Sequence, residues 1–138
     1  MDDNINLSLV NAFRKAVHLT ESSFFLFKGQ GRILSLLSRH GGELSQREAL
    51  RITEMKSSSL SEITAKLEAA GYISKEEDEA DRRSTRLRLT PSGRERAGYI
   101  RQESAKLGKK AFAVLSAEDK QEFLRLLSVL NRYWSETL

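Results

Sequence analysis

A mainly α-helical fold with one small β-hairpin is what this sequence predicts, and three observations carry it. Two short segments, 45–53 and 57–70, each start on a serine and show apolar residues at helical spacing, with a tight turn between them. Residues 84–89 alternate instead, with Leu87 and Leu89 pointing one way and Arg86 and Arg88 the other, the period of a half-buried strand. Both ends of the chain carry more apolar helical stripe than so small a centre can cover.

From the start, Ile5, Leu9, Phe13, Ala16 and Val17 recur at helical spacing over residues 5–20, with Arg14 and Lys15 on another face. Phe24, Phe25 and Phe27 follow as an aromatic cluster that needs a buried place. Residues 30–40 predict a short helix with Ile33, Leu34, Leu36 and Leu37 as its core face. Gly41-Gly42 ends it, since glycine accepts the left-handed conformation of a helix stop. Ser45-Gln46-Arg47-Glu48 fits a capping box, a serine N-cap answered by a glutamate three residues on. The helix it opens runs to Thr53 and is expected to bury Ala49, Leu50 and Ile52. Glu54-Met55-Lys56 is the turn. Ser57 is then placed to cap a helix through Ala70 that buries Leu60, Ile63 and Leu67 before Gly71 stops it. Two short capped helices on a tight turn form the helix-turn-helix pattern.

Tyr72-Ile73-Ser74-Lys75 predicts a first strand, 76–83 a charged tip, and 84–89 the returning strand. Thr90 can cap a helix whose first residue is Pro91, where no backbone N–H is needed. Beyond it Ala97, Ser104 and Ala111 recur every seven residues, as do Ile100, Leu107 and Val114. That spacing predicts a long helix with a narrow seam of small and aliphatic residues, in which Gly98 and Gly108 permit close approach. Ser116-Ala117-Glu118-Asp119 caps a last helix with Phe123, Leu126, Leu127 and Leu130 on one face, and Tyr133 and Trp134 close the chain. A second copy of the chain would cover the terminal stripes in a symmetric dimer. Packing within one chain is the other way to cover them.

The 138 residues, 39% hydrophobic and 30% charged, have the size and composition of a single globular domain. No apolar run reaches the ~18 residues of a membrane span, so no membrane partner is expected. The acidic start Met1-Asp2-Asp3-Asn4 lacks the layout of a secretory signal, and a cytoplasmic location is expected. Without cysteine there is no disulfide, thiolate metal site or thiol oxidation switch. His18 and His40 are isolated, and no serine lies in a nucleophile elbow. Gly29-Gln30-Gly31 lacks the third glycine and preceding strand of a dinucleotide loop. Glu76-Glu77-Asp78-Glu79 lacks the alternation and central glycine of a calcium loop. No enzyme, catalytic residue, metal or cofactor is expected.

The net charge of +4 is unevenly spread. Residues 82–101 carry seven arginines against Glu95 alone, whereas 57–81 carry Lys66 and Lys75 against seven carboxylates. Positive charge focused in this way suits a surface lined with phosphates. Arginine along an edge hairpin also serves simply to block aggregation, and the arginines alone do not choose between the two.

Taken in order, these elements resemble the MarR family of bacterial transcriptional regulators over nearly the whole chain. Asp81-x-Arg83 leading into Leu87-x-Leu89-Thr90-Pro91-x-Gly93 is similar to that family's wing and following helix start. Leu44-Ser45-Gln46-Arg47-Glu48-Ala49, Ser58-Ser59-Leu60-Ser61 and Lys66-Leu67-Glu68-x-x-Gly71-Tyr72-Ile73 are similar to its helix-turn-helix. The resemblance implies a single domain, 1–138, with a winged helix-turn-helix lobe over 29–90 and long N- and C-terminal dimerisation helices in 1–28 and 91–138. It implies a homodimer bound to double-stranded DNA at a palindromic operator, acting as a repressor or activator.

On that footing the helix from Ser57 enters the major groove with Ser57, Ser58, Ser59, Ser61, Glu62 and Lys66 facing the bases. Arg83, with Arg82, reaches the minor groove, and Asp81 orients the Arg83 guanidinium. Arg47 and Arg86 are candidates for phosphate positioning. Two departures from the family stand out: Glu62 lies near where an arginine is common, and Glu54 holds a turn position often given to glycine. A small-molecule effector, the family's usual control, would use a crevice lined by Phe13, Phe24, Phe25, Phe27 and Tyr99, residues that a plain aromatic core would explain equally. The rival reading is a winged helix used as a protein-interaction module or antirepressor, to which the acidic 57–81 segment lends weight.

Overall fold

The computed structural model describes residues 2–138, and of Asp2 and Phe25 the backbone alone. The elements run α1 (Asp2–Thr20), a 3-10 turn (Phe25–Phe27), α2 (Gln30–Arg39), β1 (Glu43–Ser45), α3 (Gln46–Thr53), α4 (Ser57–Ala69), β2 (Ile73–Glu77), β3 (Thr85–Leu89), α5 (Pro91–Ala111) and α6 (Ala117–Thr137). They divide into two compact units, one ending at Gln102 and one from Glu103 to Leu138, with the boundary inside α5.

In the first unit α2 supplies the centre. Ile33, Leu34, Leu36 and Leu37 are all buried, as their spacing predicts. The helix stops where Gly41 and Gly42 take φ of 75° and 95°, which lets the Gly42 N–H reach back to the Leu37 carbonyl at 2.8 Å. The chain then enters β1, a strand that local periodicity does not announce. It pairs antiparallel with β3 in a three-stranded sheet of order β1-β3-β2, with Leu44 opposite Leu87 and Ile73 opposite Leu89. These four side chains are buried against α2, Leu60 and Leu67 of α4, and Ala97 and Ile100 of α5. Each fully buried leucine or isoleucine contributes about 1.5–3 kcal/mol, so this cluster suffices to hold a small lobe.

Several expectations need correction. Ser57 does not cap α4: it is the first helical residue, and Lys56 is the N-cap, its backbone extended at φ −67° and ψ 142°. The turn is complete one residue earlier than expected because Glu54 adopts φ 57°, the left-handed conformation usually left to glycine. At the end of α3, Ile52 is 40% exposed while Thr53 is buried. The Thr53 hydroxyl donates to the Ala49 carbonyl at 2.7 Å and accepts from the Met55 N–H at 3.3 Å, so a threonine can take the inner position. Strand β2 extends to Glu77, which brings Glu76 and Glu77 into the sheet rather than the tip. The seven-residue seam does not reach Val114, because α5 ends at Ala111 and Val114 is 91% exposed. Among the described residues, apart from the helix's own neighbouring backbone, nothing lies within 4 Å of a Cβ built at Gly98 or Gly108.

The terminal helices keep their apolar stripes in the open. On α1, Ile5, Leu9, Phe13 and Val17 are exposed, and α6 contains no buried residue. In the second unit Ser116 caps α6 by accepting from the Asp119 N–H at 3.0 Å, and the Phe112 and Phe123 rings meet edge to face at 6.0 Å.

Candidate nucleic-acid interface

Helix α4 is two-sided because Leu60, Thr64 and Leu67 recur on its buried face. Thr64 is a core position that hydrophobic patterning misses; its hydroxyl donates to the Ser61 carbonyl at 3.2 Å, which makes its burial acceptable. The opposite face presents Ser57, Ser58, Ser61, Glu62 and Lys66 to solvent, with Ser59 half-buried. The N-cap residue Lys56 makes no side-chain bond to the first turn, whose N–H groups have no intrahelical partner and lie beside the serine hydroxyls. Ser61 accepts from Gln46 Nε2 at 3.3 Å, and Lys66 pairs with Glu62 at 3.3 Å, one helical turn away.

Helix α3 is started by the full capping box: the Ser45 hydroxyl accepts from the Glu48 N–H, and Glu48 accepts from the Ser45 N–H. Hydrogen bonding of the Glu48 carboxylate to the Ser45 side chain first, and then to the Ser45 backbone N–H, holds that carboxyl below the ordinary carboxylate range. One residue earlier, Arg47 reaches the hairpin. Its Nη1 lies 2.8 Å from Asp81 Oδ2, and its backbone N–H donates to Ser84 Oγ at 3.4 Å.

Asp81 therefore does something other than expected. It does not hold the Arg83 guanidinium. One carboxylate oxygen takes Arg47, and the other accepts the backbone N–H of Arg83 at 3.0 Å, an Asx turn that shapes the tip. The guanidinium groups of Arg82 and Arg83 are exposed and carry no ion pair among the described residues.

Arg86 and Arg88 differ from them. Arg86 pairs with Glu43 at 3.1 Å and Glu48 at 3.5 Å, and Arg88 with Glu43 at 2.7 Å and Glu76 at 3.1 Å. Hydrogen bonds from Arg88 and then Arg86 hold the Glu43 carboxyl below its usual range. A ladder of opposite charges thus crosses β2, β3, β1 and the start of α3, and Arg86 is engaged within the protein. The neutralising role of Glu43 and Glu48 was missed, because pairing across a sheet leaves no local signal. Also missed were Arg51 and Lys56, both exposed and without an ion pair among the described residues. Lys56 directly precedes the serine run and Arg51 lies four residues after Arg47, which are signals the sequence does carry.

Of the five expected effector residues, four have described side chains. Phe13 and Tyr99 are each 46% exposed, and Tyr99 carries the Arg96 guanidinium 4.9 Å above its ring. Phe24 and Phe27 are half-buried neighbours with centroids 6.3 Å apart, Phe27 packing on the core. The Phe25 side chain lies outside the described residues. A cavity of about 440 Å³ does exist in the first unit, lined by Leu26, Leu34 and Ile100 with Lys28, Tyr72 and Arg96, and none of the described four lines it. Among the described residues no group of acidic, histidine or cysteine side chains could hold a metal ion, and no helix is long and apolar enough to cross a membrane.

Comparisons with known proteins agree with this geometry. A MarR family model matches residues 28–84, from just before α2 to the hairpin tip. The chain is 30% identical over 96 residues to the uncharacterized HTH-type transcriptional regulator YdgJ of Bacillus subtilis (strain 168), an alignment covering 70% of this chain and 58% of that protein. Among solved structures, the MarR protein from Peptoclostridium difficile DA00132 superposes with a TM-score of 0.78 at 22% identity, covering 99% of this chain and 90% of the other. Bordetella bronchiseptica BpsR, whose structure concerns regulation of its DNA binding by 6-hydroxynicotinic acid, superposes with a TM-score of 0.72 at 21% identity, covering 93% and 98%. At these identities the structural likeness establishes the fold: a winged helix-turn-helix.

Proposed function

The chain belongs to the MarR family, and we propose that it is a transcriptional regulator, a repressor, that binds double-stranded DNA as a homodimer at a palindromic operator. The observation that carries this reading is the pairing of two exposed guanidinium groups, Arg82 and Arg83, without an ion pair among the described residues, with a serine-faced helix whose N-cap makes no side-chain bond to its first turn. Backbone N–H groups and hydroxyls suit phosphate oxygens and several base edges, while exposed arginine suits a narrow minor groove. In this reading Ser57, Ser58, Ser59, Ser61, Glu62 and Lys66 face the major groove, and the lobe of residues 29–90 is the DNA-binding part.

Residues 1–28 and 91–138 are the dimerising parts. The exposed stripe of Ile5, Leu9, Phe13 and Val17 and the bare faces of α6 support this, since single-chain burial leaves them in water. Control by a small-molecule effector is part of the proposal, supported by the regulation described for BpsR.

Selecting bound fragments from a random duplex pool tests the whole. A two-fold symmetric consensus is expected, with affinity falling about a thousandfold or more between 50 and 200 mM salt, as several phosphate contacts per lobe require. The acidic Glu77 and Glu79, exposed and without ion pairs among the described residues, favour the rival protein-interaction reading. That reading gains if no duplex is enriched even at low salt, or if sedimentation shows a monomer.

A further inference from the structure

Arg47 lies in the first turn of α3, on a helix start made firm by the Ser45–Glu48 box. Its contacts are with the hairpin turn: the guanidinium with Asp81 at 2.8 Å and the backbone N–H with Ser84 Oγ at 3.4 Å. Asp81 is also the residue that folds that turn. Its other carboxylate oxygen accepts from the Arg83 N–H at 3.0 Å, and its carbonyl accepts from the Ser84 N–H at 2.9 Å. The segment presenting Arg82 and Arg83 is thereby tied to α3, whose Gln46 Nε2 donates to Ser61 Oγ of α4 at 3.3 Å.

We propose that Arg47 is a positioning residue, which through Asp81 sets the reach of the Arg82–Arg83 turn relative to α4, rather than a phosphate contact in its own right. This rests on the DNA-binding reading above. Electrostatics argue for it. Were Arg47 to leave for a phosphate, the Asp81 carboxylate would stand unpaired beside a polyanion, a like-charge contact next to the two arginines the wing depends on. While Arg47 stays, Asp81 is neutral to the duplex and the turn keeps its Asx geometry. The side chains fit such a brace: Asp81 is 34% exposed and Arg47 67%, so the pair is partly shielded on the carboxylate side.

A duplex selected from the random pool by the unmodified protein serves as probe, with affinity measured against salt. Arg47→Ala is expected to weaken binding about tenfold when the wing is intact. In an Arg82→Ala/Arg83→Ala background the same change is expected to alter affinity by less than about twofold and to leave the salt slope unchanged, because its effect passes through residues already removed. Equal losses in both backgrounds, or a slope smaller by about 0.9 per lobe in the second, would make Arg47 a direct phosphate contact and overturn the proposal. Charge reversal gives an independent arm: Arg47→Asp/Asp81→Arg is expected to bind better than Arg47→Asp alone, and a double variant no better than the single overturns it too. If the unmodified protein enriches no duplex, the DNA-binding reading falls and takes this inference with it. If it binds and the effects simply add, only the positioning role falls.

Discussion

Gly93 sits in the first turn of α5, where the wing ends and the long helix starts. Its N–H donates to Thr90 Oγ1 at 3.0 Å, and the Thr90 N–H donates to the Tyr72 carbonyl at 3.1 Å. A Cβ at position 93 would overlap that Tyr72 carbonyl and stand 3.2 Å from Leu89 Cδ2. The obstacle is backbone at the entry to β2, so it cannot swing aside as a side-chain end would. Gly93→Ala therefore forces the helix start away from the sheet. Overpacking of this kind costs about 1–3 kcal/mol. The displaced Thr90–Tyr72 hydrogen bond adds about 0.5–1.5 kcal/mol, and the weakened cap about 1 kcal/mol. Alanine returns about 1 kcal/mol of helix propensity.

The losses win, and Gly93→Ala is expected to lower stability by roughly 2–4 kcal/mol, a large part of the 5–15 kcal/mol typical of a domain. Gly98 and Gly108 lie on the same helix with nothing within 4 Å of a built Cβ among the described residues, so alanine there should stabilise by about 1 kcal/mol each. Urea unfolding at one fixed protein concentration measures all three, with a shifted midpoint and unchanged slope marking a true stability change. A Gly93→Ala protein within 0.5 kcal/mol of the parent, on the order of ordinary surface changes, would refute the steric argument. Loss of stability in Gly98→Ala would mean that a second copy packs on this stretch of α5, since the single chain leaves it open.

Arg83→Ala should weaken operator binding by about 1–3 kcal/mol at matched salt; fluorescence anisotropy with the dimer intact checks it, and unchanged affinity removes the wing from the DNA contact. Because Glu43 is held below the usual carboxylate range when folded, its stabilising contribution is present above its unfolded pKa and is lost as pH falls through the folded value. Stability of the parent should thus fall more steeply than that of Glu43→Gln from about pH 5 to 3; parallel acid-unfolding profiles would contradict the pairing with Arg86 and Arg88. Glu54→Gly should raise the melting temperature slightly, relieving about 0.5–1 kcal/mol net of left-handed strain at φ 57° after glycine's extra unfolded-state freedom is counted. A lower melting temperature would show that the Glu54 side chain contributes more than its backbone costs.

What sequence reasoning captured here is what local pattern encodes. The four apolar residues of α2, the serine–glutamate box of α3 and the alternation of β3 each state their structure within a few residues. β1 does not, because Glu43–Ser45 is three residues long and is a strand only by virtue of β3 beside it. Thr53 and Thr64 escaped notice for a related reason: their burial depends on hydroxyl bonds to carbonyls in their own helices, which hydrophobicity does not report. The seam drawn through Val114 failed because a heptad spacing persists in sequence after the helix has ended at Ala111. At the interface, the serine face and the arginine tip could be read from order alone. The partner of Asp81 could not, since Arg47 lies 34 positions away.

The arginines at 82, 83, 86 and 88 look alike as residue types, and the fold sorts them by register. Strand pairing ends with Glu77 opposite Thr85. Arg86 and Arg88 fall inside that limit, where antiparallel neighbours place Glu43 and Glu76 within reach and Glu48 approaches from α3. Such exposed pairs add little stability, yet each cancels a charge that would otherwise act at a distance. Arg82 and Arg83 fall outside the limit, with no strand beside them to supply a carboxylate. The excess of positive charge between 82 and 101 therefore overstates what the sheet offers a phosphate, and the guanidinium groups of the hairpin that carry no ion pair among the described residues lie at its turn, close in sequence to the exposed carboxylates of Glu77 and Glu79. That is the end a wing must present to a minor groove, and it makes the geometry of the turn, rather than the count of arginines, the quantity on which binding should depend.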